Sequence, residues 1–256
     1  MTIQFHLFDE AAAAAQALAD AVRGDVQQAL ETAPRALLLV SGGRSPLPLF
    51  ALLATQPLPW AQIDVSLVDE RCVPLADADS NSALVARHLL VDAAAAARWV
   101  PLVDDALASH ADEEWPVALQ SAIAANAHPA LAHAAVVILG LGNDGHTASL
   151  FVDAPQWDEA RQTGARYVAL QPHAAPHARV GLSLQALIAQ GHCYVWSSGA
   201  DKLATLERLV ALVRDASDLI ADPRAAHLTD HLNDAGPLAL LIAHPKVTLH
   251  VFHSAR

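Results

Sequence analysis

The stretch AVVILGLGNDGHTASLF, residues 135–151, decides the fold prediction, because an apolar run of strand length ends directly in a glycine-rich polar loop. The same arrangement occurs three more times: SGGRSP (41–46) follows ALLLV, DER (69–71) follows VSLV, and SSGADK (197–202) follows CYVW. In open α/β sheets, ligands bind beyond the carboxyl ends of the strands. If the four strands are parallel neighbours, we expect these loops to form one site.

Around these runs, strand-length apolar segments alternate with segments of helical period, which is the pattern of a mostly parallel sheet covered by helices. We predict strands over residues 4–8, 36–40, 63–68, 99–102, 135–139, 167–170, 193–197 and 247–252. We predict helices over residues 10–32, 46–54, 82–91, 112–126 and 202–214, with Asp9 and Asp201 as N-caps. The predicted fold is α/β: a three-layer, doubly wound, Rossmann-like sheet with helices on both faces, in one domain spanning residues 1–256.

Composition argues against several classes of protein. The 256 residues carry a formal net charge of -12 and no Lys/Arg cluster, which argues against nucleic-acid binding. Much of the 54% hydrophobic share is alanine, and no uncharged apolar segment approaches the ~20 residues of a membrane span. The first residues lack the pattern of an export signal, so we expect a cytoplasmic protein without a membrane partner. Cys72 and Cys193 lack metal-type spacing, so neither a disulfide framework nor a zinc site is indicated.

The SGGRSP loop has the features of an anion site. Gly42 and Gly43 allow the backbone to turn tightly and expose its amides, while Pro46 suits the first turn of the helix that follows. Arg179 and Lys202 are the basic residues that would neutralise an anionic substrate. Taken separately, the loop is equally compatible with an ordinary strand-to-helix turn, and each cation with a solvated surface charge.

The strongest local signal is Asp144-Gly145-His146, in which an acid and an imidazole stand two residues apart among glycines. Histidine has an ordinary pKa of about 6.5, so it is a usable base near neutrality, and a carboxylate can fix its tautomer or bind a substrate hydroxyl. The stretch also matches the dinucleotide pattern G-x-G-x-x-G, with Asp158 at the distance of a ribose-binding acid. Against that alternative, Asp144 would lie beside a pyrophosphate, and Pro155 would curtail the helix that binds it.

A third candidate cluster begins with Asp69-Glu70-Arg71, directly after an apolar strand. It offers acceptors for hydroxyl groups and one fixed cation, although a solvated acidic loop would have the same composition. The residues that follow it are also polar, and they include Asp77, Asp79, Ser80 and Asn81. The position after a strand favours a functional role.

Taken together and in this order, SGGRSP, DERCVPLADADSN, GLGNDGHTASLF, RVGLSLQAL and SGADK resemble the bacterial 6-phosphogluconolactonases. The resemblance covers most of the chain, and DGHTASLF is a highly specific element. It implies hydrolysis of 6-phospho-D-glucono-1,5-lactone to 6-phosphogluconate in the oxidative pentose phosphate pathway, without a cofactor or metal, on a fold shared with glucosamine-6-phosphate deaminases. The chain departs from the family at Cys72, where tryptophan is common, and at Gly181, where a hydroxyl or β-branched residue is more usual.

The resemblance and the residues together suggest a role for each candidate. His146 would act as the general base on water that attacks C1, Asp144 would orient it or bind a sugar hydroxyl, and Arg71 or a loop amide would stabilise the oxyanion. Asp69 and Glu70 would bind sugar hydroxyls. The residues expected to bind the phosphate are Gly42, Gly43, Ser45, Arg179 and Lys202.

Two alternatives stay open besides the nicotinamide-dependent enzyme that the G-x-G-x-x-G match would indicate. Deaminases and isomerases of amino-sugar phosphates share the glycine loop and DGH, but they typically carry tyrosine after the Asp-Glu pair and an FNEP sequence after DGH. This chain has Arg71 and Ser149-Leu150-Phe151 at those places. A non-catalytic sugar-phosphate sensor on the same fold would normally be attached to a DNA-binding region, for which we find no segment. The expected partner is therefore a small phosphorylated sugar lactone, bound by a monomer or a small homo-oligomer.

Overall fold

A computed structural model describes residues 2–109, 114–219 and 231–255 of the chain. Its main sheet has seven strands, and every neighbouring pair in that sheet is parallel. In spatial order the strands are β1 (Thr2–Phe8), β10 (Thr248–Ser254), β9 (His192–Ser198), β6 (Val136–Leu139), β2 (Ala36–Val40), β3 (Ile63–Leu67) and β5 (Arg98–Trp99).

Helices cover both faces of this sheet. As a result, β2, β3 and β6 are buried at every residue, although their side chains alternate between the two faces. The described helices are α1 (Ala11–Leu30), α2 (Leu47–Thr55), α3 (Asn81–His88), α4 (Asp105–Ala108), α5 (Glu114–Ala127), α6 (Trp157–Gln162), α7 (Leu184–Ala189), α8 (Ala200–Leu219) and α9 (Pro237–Ala243). α1 packs against β1, β2, β6 and β10, and α8 packs against β9 and α9. The prediction of a doubly wound, mostly parallel α/β sheet is confirmed. None of the described helices is long and apolar enough to cross a membrane.

The direction of winding changes between β2 and β6. From β2 the chain adds β3 and β5 on one side of the sheet, and it later adds β6, β9 and β10 on the other. The carboxyl ends of β2 and β6 therefore form the crevice at which doubly wound proteins bind ligands. The four strands that carry the polar loops, β9, β6, β2 and β3, are consecutive neighbours, so their loops meet at one edge of the sheet.

A second, antiparallel sheet lies beside this edge and was only partly predicted. It consists of β4 (Asp69–Arg71), β8 (Arg179–Leu182) and β7 (Tyr167–Leu170). We expected residues 69–71 to be a loop, whereas they pair with residues 179–181. Strands of three or four residues that contain charged side chains give no apolar run, so hydrophobic periodicity does not reveal them.

Several helix ends also differ from prediction. α1 begins at Ala11 after Glu10, whose side chain forms no capping hydrogen bond, so Asp9 is not the N-cap. α8 begins at Ala200, which places Asp201 inside its first turn. The helix predicted over residues 112–126 is described from Glu114 to Ala127, and its first predicted residues lie outside the described ranges. The strand predicted over residues 99–102 is limited to Arg98–Trp99.

Candidate active site

A cavity of about 350 Å³ lies at the carboxyl ends of β9, β6, β2 and β3. Loops after three different strands, together with the second sheet, form its wall. Of the ten residues predicted for the site, eight line this cavity, namely Gly42, Gly43, Ser45, Asp69, Arg71, His146, Arg179 and Lys202. Asp144 lies behind His146, and Glu70 lies elsewhere.

The imidazole of His146 is held by Asp144 and by Phe151. Its Nδ1 lies 2.6 Å from the Asp144 Oδ1 atom, and its ring stacks on the Phe151 ring at a centroid distance of 4.0 Å. Although burial alone would raise the pKa of Asp144, the charge and hydrogen bonds of His146 lower it, which keeps the carboxylate ionised. With Nδ1 engaged, Nε2 is the ring nitrogen left for a ligand.

Glycine is required within this loop because its backbone lies close to the side chains of Asp144 and His146. A Cβ at Gly142 would overlap the His146 ring and the Asp144 carboxylate. Gly145 has φ +91°, a left-handed conformation that other residues adopt at a cost. The loop is followed by a tight turn rather than by a helix, since α6 begins only at Trp157. The dinucleotide alternative therefore lacks the helix N-terminus that would bind a pyrophosphate.

The SGGRSP loop is anchored to the neighbouring strand and to α3. The Ser41 amide donates to the Ile138 carbonyl at 3.0 Å, and the Ser41 hydroxyl accepts from the Gly140 amide at 2.8 Å. Gly42 lies against the Asn81 side chain, leaving no room for a Cβ, and Gly43 has φ +88°. Exposed backbone amides at this position suit an anion.

Two arginines lie side by side because β4 and β8 pair with Arg71 opposite Arg179. Arg71 Nη1 donates to the Asp79 carbonyl at 2.6 Å, and Arg179 Nη2 donates to the Pro176 carbonyl at 3.1 Å. Arg179 is only 7% exposed, and burial lowers the pKa of its guanidinium although nearby Asp69 opposes that shift. Both guanidinium groups are thus fixed at the cavity wall.

Lys202 completes the cationic part of the cavity. It lies in the first turn of α8, and its ammonium group donates to the Leu141 carbonyl. Burial lowers the pKa of Lys202, and the negative charges of Asp144 and Asp201 oppose that shift. The ammonium group therefore reaches the glycine loop that carries His146.

Glu70 does not reach this cavity, contrary to the prediction that it binds a sugar hydroxyl. It is 2% exposed, and its carboxylate accepts from the backbone amides of Arg71, Asn81 and Ser82 at 2.7, 2.9 and 2.6 Å. These bonds tie the start of α3 to β4. Glu70 thus fixes the backbone beside the cavity and is not among the residues that line it.

Ser149 and Trp196 were not predicted as site residues, and Asn81 was predicted only as a member of the polar cluster that follows Arg71. Ser149 lies 2% exposed between Asp69 and Arg179, and Trp196 Nε1 donates to the Ser45 carbonyl at 2.7 Å. The side-chain Nδ2 of Asn81 donates to the Asp69 carbonyl at 2.9 Å. Serine, asparagine and tryptophan carry no chemical signature in the sequence, so only the fold reveals their place.

Three side chains next to Arg71, those of His177, Glu114 and Asp79, form a clamp at the outer rim of the cavity. His177 has its Nδ1 2.8 Å from Glu114 and its Nε2 3.2 Å from Asp79, the residue whose carbonyl binds Arg71. Although burial alone would lower the pKa of His177, hydrogen bonds with Glu114 and Asp79 raise it. The clamp connects the start of α5 to the loop that fixes Arg71.

Outside this cavity, the described residues include a further histidine–carboxylate contact, between His192 Nε2 and Asp25 Oδ2 at 3.2 Å. Within the described ranges no group of histidines, cysteines and acids is arranged to hold a metal ion. Cys72 and Cys193 are buried free thiols, and burial raises the pKa of each to about 12. The cavity thus combines three cations and backbone amides, which suit an anionic ligand, with an imidazole whose Nδ1 is held by a carboxylate.

Comparison with known proteins gives consistent matches over most of the chain. The family described as glucosamine-6-phosphate isomerases/6-phosphogluconolactonase matches residues 9–231. The chain is 36% identical over 255 residues to a 6-phosphogluconolactonase of Neisseria meningitidis serogroup A, covering 98% of each protein. It is 36% identical over 238 residues to a 6-phosphogluconolactonase of Pseudomonas putida, covering 90% of this chain and 91% of that protein.

A solved structure supports the same grouping. The crystal structure of a 6-phosphogluconolactonase from Shewanella baltica OS155 is 30% identical to this chain and superposes with a TM-score of 0.80. The match covers 100% of this chain and 98% of that one. Sequence and fold therefore point to the same relatives.

Proposed function

The chain belongs to the glucosamine-6-phosphate isomerase/6-phosphogluconolactonase family and is a hydrolase acting on a sugar lactone, and we propose that it opens 6-phospho-D-glucono-1,5-lactone with His146 as general base. The observation that carries this proposal is the His146 imidazole, oriented by Asp144 at 2.6 Å, in a cavity lined by three cations. We place the reaction in the cytoplasm, within the oxidative pentose phosphate pathway, and treat residues 1–256 as one lactonase domain.

The substrate phosphate would lie at the SGGRSP loop. Gly42 and Gly43 offer backbone amides, and Ser45 offers a hydroxyl. Arg179 on β8 and Lys202 on α8 supply positive charge. Hydrogen bonds between ionised groups are shorter and stronger than neutral ones, so these contacts fix the phosphate firmly. The phosphate then sets the position of the lactone ring relative to His146.

Chemistry starts from a water molecule beside C1. His146 removes a proton through Nε2 as the water oxygen attacks C1, and the ionised Asp144 stabilises the imidazolium that forms. The tetrahedral intermediate collapses by breaking the bond between C1 and the ring oxygen. His146 returns its proton to that oxygen, which yields the open-chain hydroxyl and the carboxylic acid.

The negative charge on the former carbonyl oxygen requires a fixed donor. Arg71 lines the cavity and is anchored at one Nη by the Asp79 carbonyl, so its guanidinium is preorganised for this task. Asp69 lines the same wall and can accept a hydrogen bond from a sugar hydroxyl. A lactone is already activated as an ester, so the chain's own residues suffice for each step described.

The test is consumption of lactone generated freshly from glucose 6-phosphate, compared with its spontaneous hydrolysis. The purified chain should accelerate the loss of lactone, whereas release of ammonia from glucosamine 6-phosphate with no effect on the lactone would overturn the proposal in favour of a deaminase.

Lys202→Ala tests the phosphate site in the same assay. It should raise KM about 10-fold or more with a smaller change in kcat, because it removes one ionic hydrogen bond to the phosphate. Lys246→Ala, at an exposed lysine outside the cavity, is the matched control. Unchanged KM in Lys202→Ala would remove this residue from the phosphate site.

A further inference from the structure

We infer that Ser149 is a positioning residue that keeps Asp69 and Arg179 from pairing directly, so that the Arg179 charge stays available for the substrate phosphate. The inference rests on the proposed function in one respect, the assignment of Arg179 to the phosphate. Ser149 is thereby added to the site as a residue whose hydroxyl holds two charged side chains in place and takes no part in proton transfer.

The Ser149 hydroxyl bridges two charged groups of the cavity wall. It donates a hydrogen bond to the Asp69 carboxylate and accepts one from Arg179 Nη1 at 3.2 Å. Among the described residues, the hydrogen bonds of the Arg179 guanidinium go to Ser149 and to the Pro176 carbonyl, and none goes to Asp69. The carboxylate and the guanidinium are thus neighbours that touch only through a serine.

Both charges are held where they attract strongly. Asp69 is 9% exposed and Arg179 is 7% exposed, and charges at such depth are poorly screened by water. A hydroxyl has one proton to donate and lone pairs to accept with, so Ser149 can satisfy both partners at once. Without it, the guanidinium would bind the carboxylate, and the cavity would lose one positive charge that faces the phosphate.

The backbone is bent to bring this hydroxyl into place. Ala148 and Ser149 have φ +51° and +57°, and the Leu150 amide closes the turn on the Thr147 carbonyl at 2.9 Å. Two successive left-handed residues that are not glycine persist only where the surroundings hold them. Gly181 allows this, since a Cβ there would overlap the Ala148 carbonyl. The position of the Ser149 hydroxyl therefore depends on both the left-handed turn and the glycine of β8 opposite it.

Ser149→Gly and Ser149→Ala test this role. Both variants remove the hydroxyl, but glycine relieves the left-handed backbone while alanine does not, so an effect common to both belongs to the hydroxyl. By isothermal titration calorimetry, each should bind 6-phosphogluconate about 10-fold more weakly or worse, the expected loss for a disturbed ionic hydrogen bond. kcat/KM should fall much less for unphosphorylated D-glucono-1,5-lactone than for the phosphorylated lactone. Ser109→Ala, at an exposed serine, is the matched control.

The decisive variant is Asp69→Asn in the Ser149→Gly background. Removing the carboxylate charge should free Arg179 and recover at least part of the lost affinity, whereas in the native background Asp69→Asn should not tighten binding. Because Asp69 is also proposed to bind a sugar hydroxyl, the recovery is read with inorganic phosphate. Unchanged affinity in Ser149→Gly, or no recovery of the affinity for inorganic phosphate in the double variant, would overturn the inference. Titrations with inorganic phosphate give the same comparison for any phosphate ligand, so they test the role of Ser149 even if the lactone is not the substrate. Failure of the wild-type chain to hydrolyse the lactone would count against the proposed function alone.

Discussion

Gly42→Ala is the substitution whose effect can be worked out most directly from the packing of the site. A Cβ at this position would overlap the Asn81 carboxamide, and even the Asn81 Nδ2 atom would be only 2.8 Å away. Asn81 is 2% exposed, its side chain binds the Asp69 carbonyl, and its amide binds Glu70. Because Asn81 cannot retreat, the SGGRSP loop must move.

The expected cost has two parts. Overpacking of a buried contact typically destabilises a protein by about 1–3 kcal/mol, which urea denaturation should show as a lower unfolding midpoint. Displacing the loop amides from the phosphate should lose about one ionic hydrogen bond, so KM for the phosphorylated lactone should rise about 10-fold to 100-fold. Gly42→Ala should therefore lose both stability and substrate affinity.

Gly24→Ala is the matched control, because a Cβ at this exposed position of α1 would meet nothing within 4 Å. It should stabilise the protein by about 0.5–1 kcal/mol, since alanine is the better helix former, and it should leave KM unchanged. If Gly42→Ala retained the wild-type unfolding midpoint and KM, the proposed packing of the loop on Asn81 and its role at the phosphate would both be refuted.

Two further predictions concern Asp144 and His177. Asp144→Asn should lower kcat about 100-fold with little change in KM, because an amide cannot stabilise the His146 imidazolium, and steady-state kinetics with unchanged kcat would contradict this role. The raised pKa of His177 means that its pairing with Glu114 and Asp79 contributes stability below the ordinary histidine pKa and loses it as pH rises through the raised value. His177→Asn should therefore lower the urea midpoint more at about pH 6 than at about pH 9, and an equal loss at both would speak against the ion pairs.

Much of the site could be predicted because its loops follow strands made entirely or almost entirely of apolar residues. The apolar segments before SGGRSP and GLGNDGH can be recognised in the sequence as strands. A doubly wound sheet brings the carboxyl ends of these strands together. The second sheet could not be predicted in the same way. β4 has three residues, and its alternation puts Asp69 and Arg71 at the cavity while Glu70 lies away from it. A sequence of three adjacent polar residues does not show which of them share a face.

Ser149 illustrates a second limit of sequence reasoning. Its role depends on a left-handed turn, on the absence of a side chain at Gly181, and on two charges from other elements. Along the chain, Ser149 is 30 positions from Arg179 and 80 positions from Asp69. They meet because β4 pairs with β8, which places Asp69 opposite Gly181. Local propensity therefore carries no information about the contact.

The central claim is that His146 is the base of a lactone hydrolase, and the rate of lactone consumption by His146→Ala tests it most directly. His133→Ala is the control, since this exposed histidine precedes β6 and lies at the opposite end of the sheet from the cavity. We predict that His146→Ala loses about 100-fold or more of the rate above spontaneous hydrolysis, while His133→Ala keeps it. A His146→Ala protein with the full wild-type rate would contradict the account.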